Sequence, residues 1–187
     1  AVLYPLSYGG ESRVIFHEVE QISQVSQNCA MTQNAYFATG CFWGAERRFW
    51  NLPGVIETKV GYMGGTKSEP TYKEVCVGTT NHAETVEVRF DPLQISYERL
   101  LEEFWTMHDP TSLNRQGGDI GTQYRSAIFT TTLEQMISAI NTREIYNDVV
   151  KEAGYGEIVT EITDASPHKF WLAEEYHQRY LEKNPDG

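Results

Sequence analysis

The stretch that decides the fold is residues 35–50, which read AYFATGCFWGAERRFW. The first five of these residues predict a short β-strand that runs into Gly40 and Cys41. The apolar residues that follow recur at helical spacing until residues 51–54, NLPG, which are typical of a helix end. The predicted unit is therefore a strand, a turn and a helix, with Cys41 at the turn.

The rest of the chain alternates predicted strands with predicted helices. The clearest strand is residues 83–91, in which Val86, Val88 and Phe90 alternate with polar residues. This pattern predicts an α/β (α+β) fold: a two-layer sandwich with a mixed β-sheet, helices packed on it and a ferredoxin-like core. The other predicted strands are at residues 55–62, 126–129 and 158–163. The other predicted helices are a short turn opened by a Thr71-x-x-Glu74 capping box, a helix at residues 96–108 and an aromatic-rich helix at about residues 168–181. A further helix is predicted to open at a Thr131-x-x-Glu134 capping box and to carry Leu133, Met136, Ile137 and Ile140.

Length and composition indicate one globular domain. The chain has 187 residues, of which 40% are hydrophobic and 22% charged, close to the averages for such domains. Residues 1–33 have no sustained helical or strand period, so we expect an N-terminal arm there and a single catalytic domain at residues 34–187. The loop at residues 109–121 is long enough to suggest a functional role.

Charge and cysteine content restrict the partners and the compartment. The formal net charge of −11 argues against a nucleic-acid partner, which requires a basic face. No apolar run is long enough to span a membrane, and we expect a monomer without membrane association. The three cysteines, Cys29, Cys41 and Cys76, fit neither a disulfide framework nor a zinc site. We expect a reducing, cytoplasmic location, or an organelle if a targeting segment was removed.

Cys41 is the candidate nucleophile. It follows a glycine and precedes a helix, so unsatisfied amide donors and the helix dipole are expected to stabilise its thiolate. The alternative is a buried cysteine that only packs, which is common for free thiols. Spacing alone leaves both interpretations open.

Phe42 and Trp43, directly after Cys41, could line an apolar pocket with the indole N–H as a donor at its rim. The alternative role is core packing. Two adjacent aromatic residues on a helix cannot both face one core stripe, so we expect at least one of them to point toward a cleft.

Glu84 is a carboxylate on the apolar face of its strand. Alternation places it with Val86, Val88 and Phe90, which are expected to be buried. Burial raises the pKa of a carboxyl group, which would keep Glu84 protonated near neutral pH as a general acid requires. The alternative is that Glu84 reaches solvent from the strand end.

A second interpretation is a Cys-His hydrolase. His82 or His108 would then act as the base, oriented by Asp109 or Asp119. No nucleophile-elbow motif accompanies these residues, and no ligand spacing indicates a metal site.

The motifs as a set resemble those of the A-type peptide methionine sulfoxide reductases. The likeness extends over about residues 36–187. The motifs that carry it are Gly40-Cys41-Phe42-Trp43-Gly44, Gly61-Tyr62-x-Gly64-Gly65, Pro70-Thr71-Tyr72, His82-Ala83-Glu84, His108-Asp109-Pro110, Asp119 and Gly121-Thr122-Gln123-Tyr124-Arg125-Ser126.

This resemblance implies roles for seven residues. Cys41 would attack the sulfoxide sulfur, with Glu84, Tyr72 and Tyr124 donating hydrogen bonds to the sulfoxide oxygen. Phe42 and Trp43 would hold the S-methyl group of the substrate, and Asp119 would support the polar side of the site. The family reduces the S epimer of methionine sulfoxide, free or in peptides and proteins. Its members use no metal or organic cofactor and pass through a cysteine sulfenic acid that is usually recycled by thioredoxin.

The route from sulfenic acid back to thiol stays open. Relatives often continue past Asn184-Pro185-Asp186-Gly187 into a glycine-rich tail that contains resolving cysteines, a tail that is not part of this sequence. Cys76 corresponds to a position that is not generally the resolver, and Cys29 lies in the unmatched arm. A further alternative to a reductase is a module that binds sulfoxides without turnover. The reactivity of Cys41 distinguishes such a module from an enzyme.

Overall fold

A computed structural model describes residues 32–186. The predicted arm at residues 1–33, together with Cys29, therefore lies almost entirely outside the described residues. Gln33 belongs to the first strand.

The domain is built on a six-stranded mixed sheet of order β7-β6-β1-β3-β2-β8. All neighbouring strands are antiparallel except β6 and β7, which are parallel. The strands of this sheet are β1 (Gln33–Thr39), β2 (Val55–Met63), β3 (Ala83–Phe90), β6 (Ser126–Thr130), β7 (Glu161–Asp164) and β8 (Trp171–Leu172), and a separate small hairpin pairs β4 (Arg115–Gln116) with β5 (Asp119–Ile120).

The main helices pack on one face of the sheet. Alternation along β1 sends Phe37 toward the helices and Ala38 toward the opposite face, where a smaller apolar cluster forms around Phe129. The helical core includes Phe49 and Phe104, both fully buried. The helices are α1 (Phe42–Trp50), α2 (Tyr72–Cys76), α3 (Tyr97–Met107), α4 (Leu133–Glu152) and α5 (Tyr180–Lys183), with a turn of 3₁₀ helix at Thr122–Tyr124.

The predicted fold class is confirmed. The connection β1-α1-β2-β3-α3-β6, with these strands in the order β6-β1-β3-β2, is the ferredoxin-like arrangement. No helix among residues 32–186 is long and apolar enough to cross a membrane.

The prediction for the start of α4 was wrong by one residue. Thr132, not Thr131, caps the helix by accepting from the Gln135 backbone N–H, because the Thr131 hydroxyl donates to the Asn34 carbonyl. The buried positions of α4 are Gln135 and Ala139. Leu133 and Ile137 are exposed, and Met136 and Ile140 are half-buried.

The aromatic-rich helix predicted at residues 168–181 is mostly absent. Trp171 and Leu172 extend the sheet as β8, and only Tyr180–Lys183 is helical. Edge pairing competes with helix formation here, since the Gln178 side chain accepts from the N–H of Val60 and donates to its carbonyl. These bonds hold the segment against β2.

The last predicted strand is shorter than expected. β7 covers Glu161–Asp164, while the backbone N–H groups of Ile158 and Val159 donate to the Asn147 side chain and the Pro110 carbonyl. With these donors engaged elsewhere, residues 158–160 do not join the sheet.

Candidate active site

Cys41 lies in the turn between β1 and α1, directly before the first helical residue. Gly40 has a φ of +102°, and a Cβ there would lie 2.6 Å from Cγ of Gln116. Gln116 is fixed in turn, because its side chain accepts from the Asp109 N–H and donates to the Asp109 carbonyl. Glycine at position 40 therefore lets the β4-β5 hairpin pack against the turn that carries the thiol.

The resting structure does not favour the thiolate that we expected at Cys41. Burial, with smaller contributions from Glu84 and Asp119, raises the pKa of the Cys41 thiol to about 11. The N–H groups of Trp43 and Gly44 lower this pKa, as a helix start should, but their effect is outweighed. At neutral pH the resting cysteine is therefore a protonated thiol.

Glu84 is buried beside the helix start, as the strand alternation predicted. It is 2% exposed, and its Oε2 accepts from the Phe42 backbone N–H at 3.1 Å. Burial is the main reason that the pKa of Glu84 rises to about 8, with a smaller increase from the charge of Asp119. The hydrogen bond from Phe42 opposes this rise. Near neutral pH the carboxyl group is mostly protonated and can donate a proton.

Tyr72, Tyr124 and Asp119 lie within electrostatic range of Glu84. Burial, with smaller contributions from the charges of Glu84 and Asp119, raises the pKa of Tyr124 to about 12. Burial also raises the pKa of Tyr72, with contributions from Cys76, Glu84 and Tyr124. Both phenols are therefore uncharged donors at neutral pH. Asp119 lies exposed on β5.

Phe42 and Trp43 do not both face the core, as the helical spacing predicted. Phe42 is buried against Tyr62, with a centroid distance of 5.9 Å, whereas Trp43 is half-buried. The Trp43 indole N–H is not a free donor at a rim, because it donates to Nδ1 of His177 at 3.0 Å. Its ring stacks on Tyr180 at 3.8 Å.

His108 is committed to structural contacts. Its ring nitrogens lie 2.8 Å from the Phe104 carbonyl oxygen and 2.7 Å from Oγ of Ser126. Burial lowers the pKa of His108 to about 4. The Asp109 carboxylate accepts from Thr111 and Ser112 instead of orienting the histidine.

His82 is equally committed, to the loop after β2. Its Nδ1 accepts from the Gly65 N–H, and its Nε2 lies 2.7 Å from the Lys67 carbonyl oxygen. Across residues 32–186, no hydrogen bond joins a histidine to Cys41, so this geometry argues against a Cys-His hydrolase.

Comparison with known proteins identifies the family. A family model described as peptide methionine sulfoxide reductase matches residues 33–187. The chain belongs to the peptide methionine sulfoxide reductase family. A peptide methionine sulfoxide reductase MsrA of Salinispora arenicola is 58% identical over 158 residues, which cover 83% of this chain and 71% of that protein.

Two other members of the reductase family illustrate its range. The human mitochondrial peptide methionine sulfoxide reductase is 54% identical over 156 residues, covering 83% of this chain and 66% of that protein. The solved structure of methionine sulfoxide reductase A of Corynebacterium diphtheriae has a TM-score of 0.81 and 46% identity, covering 84% of this chain and 77% of that chain. The resemblance inferred from the sequence motifs is thereby confirmed.

Three residues that surround the candidate site could not be recognised from the sequence. Glu174 and His177 lie in the part of residues 168–181 that is not helical, and Tyr180 begins α5. Glu174 accepts from the Tyr72 N–H at 2.8 Å and from the Tyr62 hydroxyl at 2.9 Å. The available signal was the indole N–H of Trp43, since a buried indole usually requires an acceptor.

Proposed function

We propose that this protein reduces the S epimer of methionine sulfoxide to methionine, in free form and in proteins, and so repairs oxidised proteins. The observation that carries the proposal is the buried Glu84 carboxyl group, bonded to the backbone next to Cys41 and protonated near neutral pH. Family membership supplies the substrate class. The site then supplies a thiol and an acid side by side.

In the proposed reaction, Cys41 Sγ forms a bond to the sulfoxide sulfur while the sulfoxide oxygen takes a proton from Glu84. The thiol proton of Cys41 passes to Glu84 and restores its carboxyl group. The Sγ–sulfur bond and the sulfur–oxygen bond of the substrate then break as the oxygen becomes bonded to Cys41 Sγ. Methionine leaves as the thioether, and Cys41 remains as a sulfenic acid. The sulfoxide sulfur gains two electrons and the cysteine sulfur loses two, so the step balances without a cofactor.

Donors at the sulfoxide oxygen contribute most to this step, because negative charge develops there in the transition state. The hydroxyls of Tyr72 and Tyr124 are suited to assist Glu84, since both are neutral at working pH and both lie in range of its charge. Proton transfer by a positioned acid typically contributes about 10²- to 10⁴-fold in rate.

The substrate's S-methyl group is proposed to pack on Phe42 and Trp43. Both of these side chains lie at the start of α1, and both of their rings contact the ring of His177. Asp119 is proposed to support the polar side of the site from the β4-β5 hairpin. The packing of Gln116 on Gly40 supports this placement, because Gln116 pairs directly with Asp119 across the hairpin.

Recycling needs a thiol, because a sulfenic acid returns to thiol only through reduction. We propose thioredoxin or a comparable thiol reductant as the partner. A reducing, cytoplasmic location suits this chemistry, and the mitochondrial name of the human relative keeps an organelle open. We further expect the protein to act as a monomer.

A single-turnover assay tests the proposed function. The protein is mixed with an equimolar amount of methionine S-sulfoxide without added reductant, and methionine is quantified. Wild type should form about one methionine per protein, and Cys41→Ser should form none while still binding the sulfoxide weakly. Cys76→Ser is the matched control, because it removes an exposed thiol and should leave the first turnover intact. Turnover by Cys41→Ser would remove Cys41 as the nucleophile, and binding without turnover by wild type would instead support a sulfoxide-binding module.

A further inference from the structure

We infer that His177 is a positioning residue, which holds the Trp43 indole as a fixed wall of the site by accepting its N–H at Nδ1. This inference rests on the proposed function for its effect on catalysis, although the contact itself can be tested independently. His177 was not among the residues suggested by the sequence motifs.

The hydrogen bond from Trp43 defines the tautomer of the His177 ring. Trp43 Nε1 can only donate, so His177 Nδ1 must be the acceptor in their 3.0 Å contact. The neutral ring then carries its proton on Nε2. Burial lowers the pKa of His177, so Nδ1 remains an acceptor at neutral pH.

The indole is held from two directions. His177 fixes its edge through the hydrogen bond, and Tyr180 stacks on its face at 3.8 Å with an angle of 12° between the rings. With both contacts present, rotation of the Trp43 side chain would break a partly buried hydrogen bond and a ring contact together. A wall of this kind gives the substrate a defined surface.

His177 is itself firmly placed by backbone contacts. Its N–H donates to the Glu174 carbonyl at 2.9 Å, closing a turn. The Glu174 side chain accepts from the Tyr62 hydroxyl and the Tyr72 N–H. Two residues after His177, the Arg179 N–H donates to the buried Glu46 side chain at 2.9 Å. The turn therefore connects the Tyr72 and Trp43 sides of the site.

The other ring nitrogen of His177 indicates that this side chain does more than fill space in the core. Its Nε2 is buried without a hydrogen-bond partner among the described residues. The ring lies 4.4 Å from the Tyr72 ring and 5.2 Å from the Phe42 ring, centroid to centroid. An apolar side chain would fill this space without leaving a buried donor unpaired, but it would not accept from Trp43.

Replacing His177 by Phe or Asn separates shape from hydrogen bonding. His177→Phe keeps a ring but removes the acceptor, whereas His177→Asn can place its amide oxygen near the Nδ1 position. For peptide methionine sulfoxide, we expect His177→Phe to raise KM about tenfold and to change kcat less than about twofold, because a loosened wall weakens ground-state and transition-state binding alike. His177→Asn should recover most of the loss.

The indole N–H signals in a ¹⁵N-¹H NMR spectrum test the contact directly. The chain has four tryptophans, and Trp43→Phe assigns the Trp43 signal by its disappearance. In His177→Phe the Trp43 signal should move upfield, as expected when a hydrogen bond is lost, and in His177→Asn it should return. The Trp105 signal is an internal reference, since its indole donates to Thr142 far from the site. His168→Phe is the matched control and should move no Trp43 signal.

Ring ¹⁵N shifts of His177 in wild type provide a test that needs no variant to fold. An unprotonated Nδ1 with a protonated Nε2 supports the inference, and the opposite tautomer overturns it. An unmoved Trp43 signal in His177→Phe, or a kcat loss without a change in KM, also overturns it. If wild type failed to reduce methionine sulfoxide while the indole signal behaved as described, the proposed function would fail and the contact would stand.

Discussion

The backbone N–H of Phe42 donates to Oε2 of Glu84 at 3.1 Å, which ties the proposed acid to the residue next to the proposed nucleophile, Cys41. This bond favours the charged carboxylate, yet burial dominates and the pKa of Glu84 rises to about 8. The site therefore holds a protonated acid against the start of α1 at the expense of stability.

Glu84→Gln is expected to stabilise the fold while abolishing most activity. The pKa of Glu84 is about 8 in the folded state, above the 4.5 of an ordinary glutamate. Between these pH values the folded state keeps a proton that the unfolded state loses, so stability falls as pH rises from about 5 to about 8. Glutamine does not titrate, so the stabilisation should grow over this range to a few kcal/mol, roughly the free energy equivalent of such a shift.

Urea unfolding of wild type and Glu84→Gln at pH 5 and pH 8 measures this difference. Glu175→Gln, at an exposed carboxylate, is the control and should show little pH-dependent gain. An equal difference at both pH values, or a less stable Glu84→Gln at pH 8, would contradict the assignment of a buried protonated acid.

The reactivity of Cys41 should depend on Glu84. With the pKa of the thiol raised to about 11, alkylation by iodoacetamide should increase steeply with pH in the resting protein. Glu84→Gln removes a negative charge that disfavours the thiolate, so the midpoint should move to lower pH. Peptide mapping in a Cys76→Ser background isolates the Cys41 signal, and a midpoint at or below about pH 8 in otherwise wild-type protein would be inconsistent with the site geometry.

Tyr72→Phe and Tyr124→Phe should each slow the first turnover about tenfold, because a single hydrogen bond contributes on the order of 1 kcal/mol. The double variant should be slower than either single variant. Tyr155→Phe, at an exposed tyrosine, is the control. Rapid-quench measurement of methionine formation gives these rates, and rates equal to wild type in both single variants would exclude the phenols as oxygen donors.

Gly40→Ala and Gly44→Ala should have opposite effects on stability. Gly40 combines a φ of +102° with a Cβ position 2.6 Å from Gln116, so alanine should destabilise the fold by at least about 1 kcal/mol. Gly44 lies in α1, and apart from its chain neighbours and the backbone of its own helix no atom lies within 4 Å of its Cβ position. Alanine there should be neutral or stabilising by up to about 1 kcal/mol. Thermal unfolding compares the stability of the two variants. A Gly40→Ala variant as stable as wild type would mean that the β4-β5 hairpin does not pack on the turn at Gly40.

The sequence predicted the parts of the fold that follow from regular patterns. The alternation in residues 83–91 correctly placed Glu84 on a buried face, and the stretch at residues 35–50 correctly placed Cys41 before a helix. The six-stranded order could not be obtained from these patterns, because β8 consists of two residues at a sheet edge.

The remaining misses have a common physical origin in tertiary contacts. Gln178 binds both backbone polar groups of Val60, which no local pattern in residues 168–181 reveals. The raised pKa of Cys41 depends mainly on burial and less on the carboxylates of Glu84 on β3 and Asp119 on β5, whereas the sequence suggested only the helix start. The acceptor for Trp43 was missed for the same reason, because His177 lies 134 residues away along the chain.

The chemical state of Cys41 after one turnover tests the central claim most directly. Wild type is treated with one equivalent of methionine S-sulfoxide, with and without dimedone as a trap for sulfenic acid, and its peptides are mapped by mass spectrometry. We predict that each methionine formed is matched by one Cys41 that carries an added oxygen, a dimedone adduct or a disulfide. Methionine formed in equal amount while the Cys41 peptide remains an unmodified thiol would contradict the account.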